Sequence, residues 1–187
     1  ISDAWQIEDG AMVFTPPAER NGKAFNIVTD RSFTNFVLSI EWKISEGGNS
    51  GLFWGVQESP DYPQPYETGA EIQILDDERH PDAYNGTTHK AGSLYDMIAA
   101  PSGLVNPAGQ WNHYELEVNH TANLAKLSIN GQHALSFPLH GDAWNQMVAD
   151  SKFATWPGFA KAATGKIGLQ DHGDKVWYRN IKIKELP

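Results

Sequence analysis

The sequence predicts an all-β protein, an antiparallel β-sandwich of jelly-roll type, and three observations lead there. Short runs with period-two alternation recur along the 187 residues, turn formers separate them, and no window sustains a helical period. Many short strands with few helices bury their apolar faces best as two packed sheets. No repeat or low-complexity segment interrupts the chain, and its length suits one domain over residues 1–187 with a single sizeable core.

The clearest strand covers residues 36–44. Phe36, Leu38, Ile40, Trp42 and Ile44 share one face, and Ser39, Glu41 and Lys43 share the other. A glycine-rich turn over residues 46–51 follows, and residues 52–57 read as an antiparallel neighbour of the first strand. In residues 69–76, Ala70, Ile72 and Ile74 face a core while Glu71 and Gln73 project together from the opposite face. Residues 77–110 lose periodicity, and a connection that long in a compact domain implies a functional segment. It reads as loops draped over a binding face around a short ordered piece, Gly92-Ser93-Leu94-Tyr95-Asp96.

From Trp111 the alternation resumes, with Tyr114, Leu116 and Val118 inward and His113, Glu115 and Glu117 outward. Residues 125–129 and 132–137 flank Asn130-Gly131, the pair that suits a type I′ hairpin turn. Residues 142–163 form a long excursion with room for a short helix, which Pro157-Gly158 interrupts. The closing stretch sets two strand-like runs around a polar knot, Gln170-Asp171-His172-Gly173-Asp174. Ile167 and Leu169 point inward before it, and Gly168 and Gln170 point outward. In the second run Trp177, Ile181 and Ile183 keep one phase, which puts Arg179 on the apolar side unless a bulge near Asn180 resets the register. A buried arginine needs a carboxylate, and Asp171 and Asp174 are the local candidates.

Composition narrows the function classes. With 23 acidic against 14 basic side chains the formal charge is -9, which repels phosphate backbones and anionic lipid, so nucleic acid is excluded as a partner class. No apolar run reaches membrane-spanning length, so no membrane insertion is expected, and Ile1-Ser2-Asp3 reads as the start of a processed or trimmed chain. The absence of cysteine removes disulfides, thiolate nucleophiles and zinc-thiolate sites. Seven tryptophans, eight phenylalanines and six tyrosines beside 17 glycines and 11 prolines fit a turn-rich β protein with aromatic surfaces. A carbohydrate is the natural partner, because flat rings stack on sugar C–H faces.

Candidate site residues follow from this layout. Glu71 and Gln73 on one strand face can grip vicinal hydroxyls or place an acid beside a sugar. Gln170, Asp171 and His172 gather in the knot, and Lys90 with Tyr95 and Asp96 brings a cation and a hydroxyl–carboxylate pair to the same loops. Arg179 is a further candidate for substrate binding. Asp76, Asp77, Glu78, His80 and Asp82 make a carboxylate-rich loop that offers oxygen ligands to a divalent cation, the one cofactor the sequence suggests. Asp76 and His80 are its candidate ligands, although EF-hand spacing and the H-x-H and H-E-x-x-H patterns are absent. No G-x-S-x-G elbow, Walker loop or dinucleotide fingerprint occurs. The paired-carboxylate spacing of β-sandwich glucanases is also missing.

Taken together, Trp5-Gln6-Ile7-Glu8-Asp9-Gly10, Gly47-Gly48-Asn49-Ser50-Gly51-Leu52, Tyr66-Glu67-Thr68-Gly69-Ala70-Glu71-Ile72-Gln73-Ile74-Leu75-Asp76, Ala91-Gly92-Ser93-Leu94-Tyr95-Asp96, Trp111-Asn112 and Gly168-Leu169-Gln170-Asp171-His172-Gly173 resemble the 3-keto-disaccharide hydrolase domain family in order and spacing. The resemblance implies a concanavalin-like jelly-roll sandwich, an exported bacterial setting (periplasmic or extracellular), and action on oxidised glycosides. It departs from the family at Trp54-Gly55, where an aromatic–arginine pair is common.

For such a substrate, oxidation at C3 acidifies the C2 proton. A base removes it, the C1 aglycone leaves by elimination, and water adds to the enone. On this reading His172 is the base oriented by Asp171, Glu71 is the acid, and Lys90 or a bound cation lies near the ketone oxygen. The same fold also hosts passive sugar-binding modules, so a non-catalytic lectin-like domain is the alternative.

Overall fold

The computed structural model describes residues 2–187. Its strands are β1 (Trp5–Glu8), β2 (Ala11–Phe14), β3 (Ile27–Val28), β4 (Phe36–Ile44), β5 (Asn49–Val56), β6 (Ala70–Leu75), β7 (Asn112–Asn119), β8 (Leu124–Ile129), β9 (Gln132–Phe137), β10 (Lys166–Leu169) and β11 (Val176–Glu185), with one α-helix, α1 (Asp142–Ala149), after β9. They form a seven-stranded sheet in the order β1-β2-β11-β4-β7-β8-β9 and a four-stranded sheet in the order β3-β10-β5-β6. Every strand pairing is antiparallel. The architecture is the all-β sandwich that the alternation predicts.

The core lies between the sheets. The inward residues of β4 and β7 meet the inward residues of β5 and β6, and Trp42, Tyr114 and Tyr178 are its largest fully buried side chains. Trp42 and Tyr114 meet edge to face at 5.1 Å, the arrangement aromatic quadrupoles favour. The Tyr114 hydroxyl donates to the Gln73 carbonyl at 2.9 Å, and the Tyr178 and Ser50 hydroxyls lie 2.7 Å apart, so these buried phenols are satisfied. Among the described residues no helix is long and apolar enough to cross a membrane.

Two connections differ from the sequence reading. β4 and β5 are not neighbours, because the chain crosses from the large sheet to the small one at residues 45–48. The burial patterns explain why. β4 alternates buried and half-buried positions, whereas β5 is buried on both faces, with Phe53 fully covered on the side away from the core. A strand covered on both faces suits the sheet that carries the loops. β10 and β11 also lie in different sheets, so the polar knot is a second crossover and not a hairpin turn. The two crossovers touch: the Asn49 amide donates to Asp174 Oδ2 at 3.0 Å, and the Ser45 amide donates to the Lys175 carbonyl at 3.1 Å.

The register of β11 shifts between Arg179 and Lys182, with Asn180 in the left-handed region at φ 51°. Ahead of this bulge Val176 and Tyr178 form the buried phase, so Trp177 and Arg179 face outward on the large sheet, where Arg179 Nε donates to Glu41 Oε2 at 2.6 Å and its guanidinium lies 3.9 Å from the Trp111 ring centre. The partner is therefore Glu41, not Asp171 or Asp174. At the start of the chain β1 and β2 form a hairpin through Asp9 (φ 49°) and Gly10 (φ 76°), the two left-handed residues of a type I′ turn.

Candidate active site on the small sheet

The outer face of the four-stranded sheet is the floor of a cleft of about 610 Å³. Period-two geometry decides what points into it. Glu71 and Gln73 on β6, Asn49 and Gly51 on β5, and Gly168 with Gln170 at the end of β10 all turn away from the core. Gly51 pairs with Gln73 and stands diagonally to Glu71, and a Cβ there would overlap the Glu71 carboxylate. Glycine at this position opens the space the acid occupies. Loops supply the walls: Arg20 and Lys23 on one side, Tyr95, Lys152 and Phe153 on another, with Tyr66 and Trp156 beyond.

Glu71 is only 7% exposed, and its carboxyl has no side-chain hydrogen bond to the described residues. Burial pushes it up to about 8; Lys152 opposes the shift and Asp82 adds to it. At neutral pH it is mostly a neutral acid with a proton to give. Along the same floor Asn49 Oδ1 and Gln170 Oε1 are buried without a partner. Unpaired buried amide oxygens cost stability in an empty site and are satisfied by a ligand's hydroxyl donors. Gln73, 1% exposed, lies between these amides and Glu71.

The polar knot divides its labour. The Asp171 carboxylate accepts from Arg20 Nη1 at 2.8 Å and Nη2 at 2.5 Å, and from the amides of Phe25 and Gly173, each at 2.9 Å. With four donors its lone pairs are spent, and it makes no hydrogen bond to His172. The sequence reading of Asp171 as the group that orients His172 is therefore corrected. Asp171 instead buckles the loop before β3 to the crossover. Gly173, at φ 98°, gives the backbone the bend that brings its amide back to that carboxylate. His172 stands at the cleft's exposed mouth. Desolvation by the walls, then the neighbouring His80 ring, lower its pKa below the ordinary histidine value, against the opposing pull of Asp174, Asp82 and Asp171. It is a neutral base near pH 7.

His80, His172 and Asp174 bring ligand atoms within 4.8 Å of one another, so they are the residues to test for a metal. The tautomer argues against it. His80 Nδ1 accepts the Asp82 amide at 3.1 Å, which leaves the hydrogen on Nε2, so this ring enters the trio as a donor and not as a ligand. Asp76 is not placed to hold a metal either: its carboxylate accepts from the Gly47 and Glu78 amides and pairs with Arg79, anchoring the loop.

The long segment after β6 pairs with that strand through Leu94 and carries a side-chain bridge of its own. His89 Nδ1 lies 2.9 Å from Asp82 Oδ1, and its Nε2 lies 2.9 Å from Asp96 Oδ1. Asp82 Oδ2 also accepts the Tyr95 hydroxyl at 2.9 Å, and Asp96 Oδ2 accepts the Lys152 amide at 2.7 Å. Tyr95 and Lys152 thus reach the cleft from a braced support, with the Lys152 ammonium 4.1 Å from the Tyr95 ring centre.

Of the residues chosen from sequence, Glu71, Gln73, Tyr95, Gln170, Asp171 and His172 line the cleft. Asp96 supports it from behind through Lys152. Lys90 does not line it, and its charge acts on Asp77. Arg179 is on the other sheet. Sequence reasoning missed Arg20, Lys152, Tyr66 and Trp156, which arrive from loops with no periodicity. For Lys152 and Trp156 the available signal was the unexplained length of the excursion at residues 142–163.

Comparison with known proteins sets this geometry in context. A family model described as a 3-keto-alpha-glucoside-1,2-lyase-like domain matches residues 1–184. The chain is 34% identical over 209 aligned positions to a 3-keto-disaccharide hydrolase of Bacteroides thetaiotaomicron, covering 100% of this chain and 71% of that one. A provisionally assigned glycosyl hydrolase of Parabacteroides distasonis superposes with a TM-score of 0.88 at 34% identity, over 99% of this chain and 84% of its own. A carbohydrate binding module from Bacillus subtilis, at 9% identity, shares the fold with a TM-score of 0.60 over 97% of this chain and 91% of its own.

Proposed function

The chain belongs to the 3-keto-alpha-glucoside-1,2-lyase-like domain family, and from that membership we propose that this carbohydrate-acting enzyme cleaves 3-keto-glycosides by elimination and hydration. The observation that carries the reading is a pair of oppositely perturbed groups on one cleft. Glu71 holds its proton up to about pH 8, and His172 is depressed below the usual histidine range.

His172 takes the C2 proton, made acidic by the C3 ketone. The electron pair moves into the C1–C2 bond as the C1–oxygen bond breaks, and Glu71 gives its proton to the departing oxygen. Lys152 and Arg20 supply positive charge at the cleft for the developing enolate. Water then adds at C1, its proton returns to Glu71, and C2 regains a proton from the His172 imidazolium. The sum is 3-keto-glycoside plus water giving 3-keto-sugar plus alcohol, with both residues restored.

Proton NMR of purified protein with a 3-keto-glucoside in D₂O tests this. The expected result is 3-keto-glucose carrying deuterium at C2 in the earliest product, ahead of background exchange, and loss of product with Glu71→Gln. Product that keeps its original C2 proton, together with the absence of a primary isotope effect on a C2-deuterated substrate, means direct displacement at C1 and overturns the elimination. Saturable binding with no product makes the chain a passive sugar-binding module.

A further inference from the structure

Strand register orders the cleft along its length. Asn49 lies at the level of Leu75, Gly51 and Gln170 at the level of Gln73, and Glu71 one step further along β6. Tyr66, in the short 3-10 turn Pro65–Glu67 that precedes β6, lies past Glu71 at the other end, with Trp156 beside it. The acid therefore stands between two unlike halves.

One half holds the unpaired amide oxygens of Asn49 and Gln170, which call for hydroxyl donors. In the other half the Gln64 and Glu67 side-chain oxygens are engaged. Gln64 Oε1 accepts from Asn26 at 2.8 Å, and Glu67 Oε2 accepts the Gln64 amide at 2.7 Å. This half also presents ring surface to a ligand. Tyr66 and Trp156 lie 6.0 Å apart, tilted at 55°, so neither covers the other's face. Trp156 is held edge-on by Phe153, which is itself stacked on Phe159 at 3.9 Å. Tyr66 is 38% exposed, an unusual state for a large aromatic beside a cleft wall.

We propose that Tyr66 and Trp156 form a leaving-group subsite that selects glycosides with a flat, apolar aglycone, such as an aryl group, over those with a small alkyl one. The proposal rests on the reading of the cleft as a glycoside site, with the sugar on the amide side and the cleaved bond at Glu71. An aromatic aglycone stacks on the tilted pair, a contact that a methyl group is too small to make.

Calorimetric titration of the Glu71→Gln variant with phenyl and methyl 3-keto-glucosides tests it without depending on turnover. The phenyl compound is expected to bind about 10-fold more tightly than the methyl one, and adding Trp156→Ala or, separately, Tyr66→Ala should collapse that ratio to about 2-fold or less while leaving methyl binding unchanged. Equal affinity for the two compounds, or a ratio that survives both substitutions, overturns the subsite. Equal loss for both compounds in circular-dichroism-verified folded variants also overturns it, since it shows general support and not selection. Product formation by the wild-type chain is read separately and bears only on the elimination.

Discussion

Gly51 and Glu71 stand diagonally on paired strands, and the space a Cβ of Gly51 would fill is taken by the Glu71 carboxylate. Gly51→Ala should therefore displace the acid without touching any other proposed proton-transfer group. A shift of about 1 Å in a reacting group costs roughly 100-fold, so kcat on a 3-keto-glucoside should fall by that order. Steady-state kinetics beside a thermal melt check this; a variant with wild-type kcat would mean that the Glu71 position is not critical.

The pH–rate profile should be bell-shaped. On the proposed mechanism activity requires neutral His172, so it should fall as pH drops through a value below the ordinary histidine pKa, and it requires protonated Glu71, so it should fall as pH rises through about 8. The Glu71→Gln variant loses the alkaline limb together with most of its kcat. Stability gives an independent check. The folded-state pKa of Glu71 lies above its unfolded value, so its proton-linked stability is fully present below the unfolded pKa and is lost as pH rises toward 8. Glu71→Gln should consequently gain more in Tm, relative to wild type, at pH 9 than at pH 5.

His80 is one cause of the depressed His172 pKa. His80→Asn can keep a side-chain acceptor for the Asp82 amide while removing the second imidazole, so the His172 pKa should rise and the acid limb should move to higher pH. Histidine C–H titration by NMR reads the same shift directly; an acid limb that stays in place would remove His172 from the role of base.

Chelation should leave turnover unchanged. The His80 tautomer that accepts the Asp82 amide does not offer Nε2 to a metal, and Asp76 is engaged by backbone amides. Incubation with EDTA, dialysis and reassay is the measurement. A lasting loss restored by one divalent ion would show that His80 turns over to ligate.

Arg20→Met should destabilise the fold by roughly 2–4 kcal/mol, less than a fully buried broken pair because the Arg20 side chain is 33% exposed and two backbone amides still reach Asp171. A urea melt checks it. Without its Arg20 partner the Asp171 charge pulls harder on His172, so the acid limb of surviving activity should move to higher pH.

Much of this was legible in the sequence because strands write their faces in alternate residues. The phases of β4, β6 and β7 and the Asn130-Gly131 turn could be read directly, and so could the outward pairing of Glu71 with Gln73. Crossovers were not legible. A glycine-rich link such as residues 45–48 serves a hairpin or a change of sheet equally well, and only the double-sided burial of β5 separates the two. The same limit hid Arg20 and Lys152. Their chemistry is ordinary until a buried Asp171 in one case, and the Asp96–His89–Asp82 bridge in the other, fixes where a loop side chain comes to rest.

That bridge also bears on the fate of the unsaturated intermediate. Because Asp82 and Asp96 clasp His89 from both sides, the segment that carries Tyr95 is braced beside an open cleft. On the proposed elimination, bulk water would reach C1 from the cleft mouth. A glycal formed there partitions toward capture in place, so the protein should release hydrated sugar as its main product and little free enone.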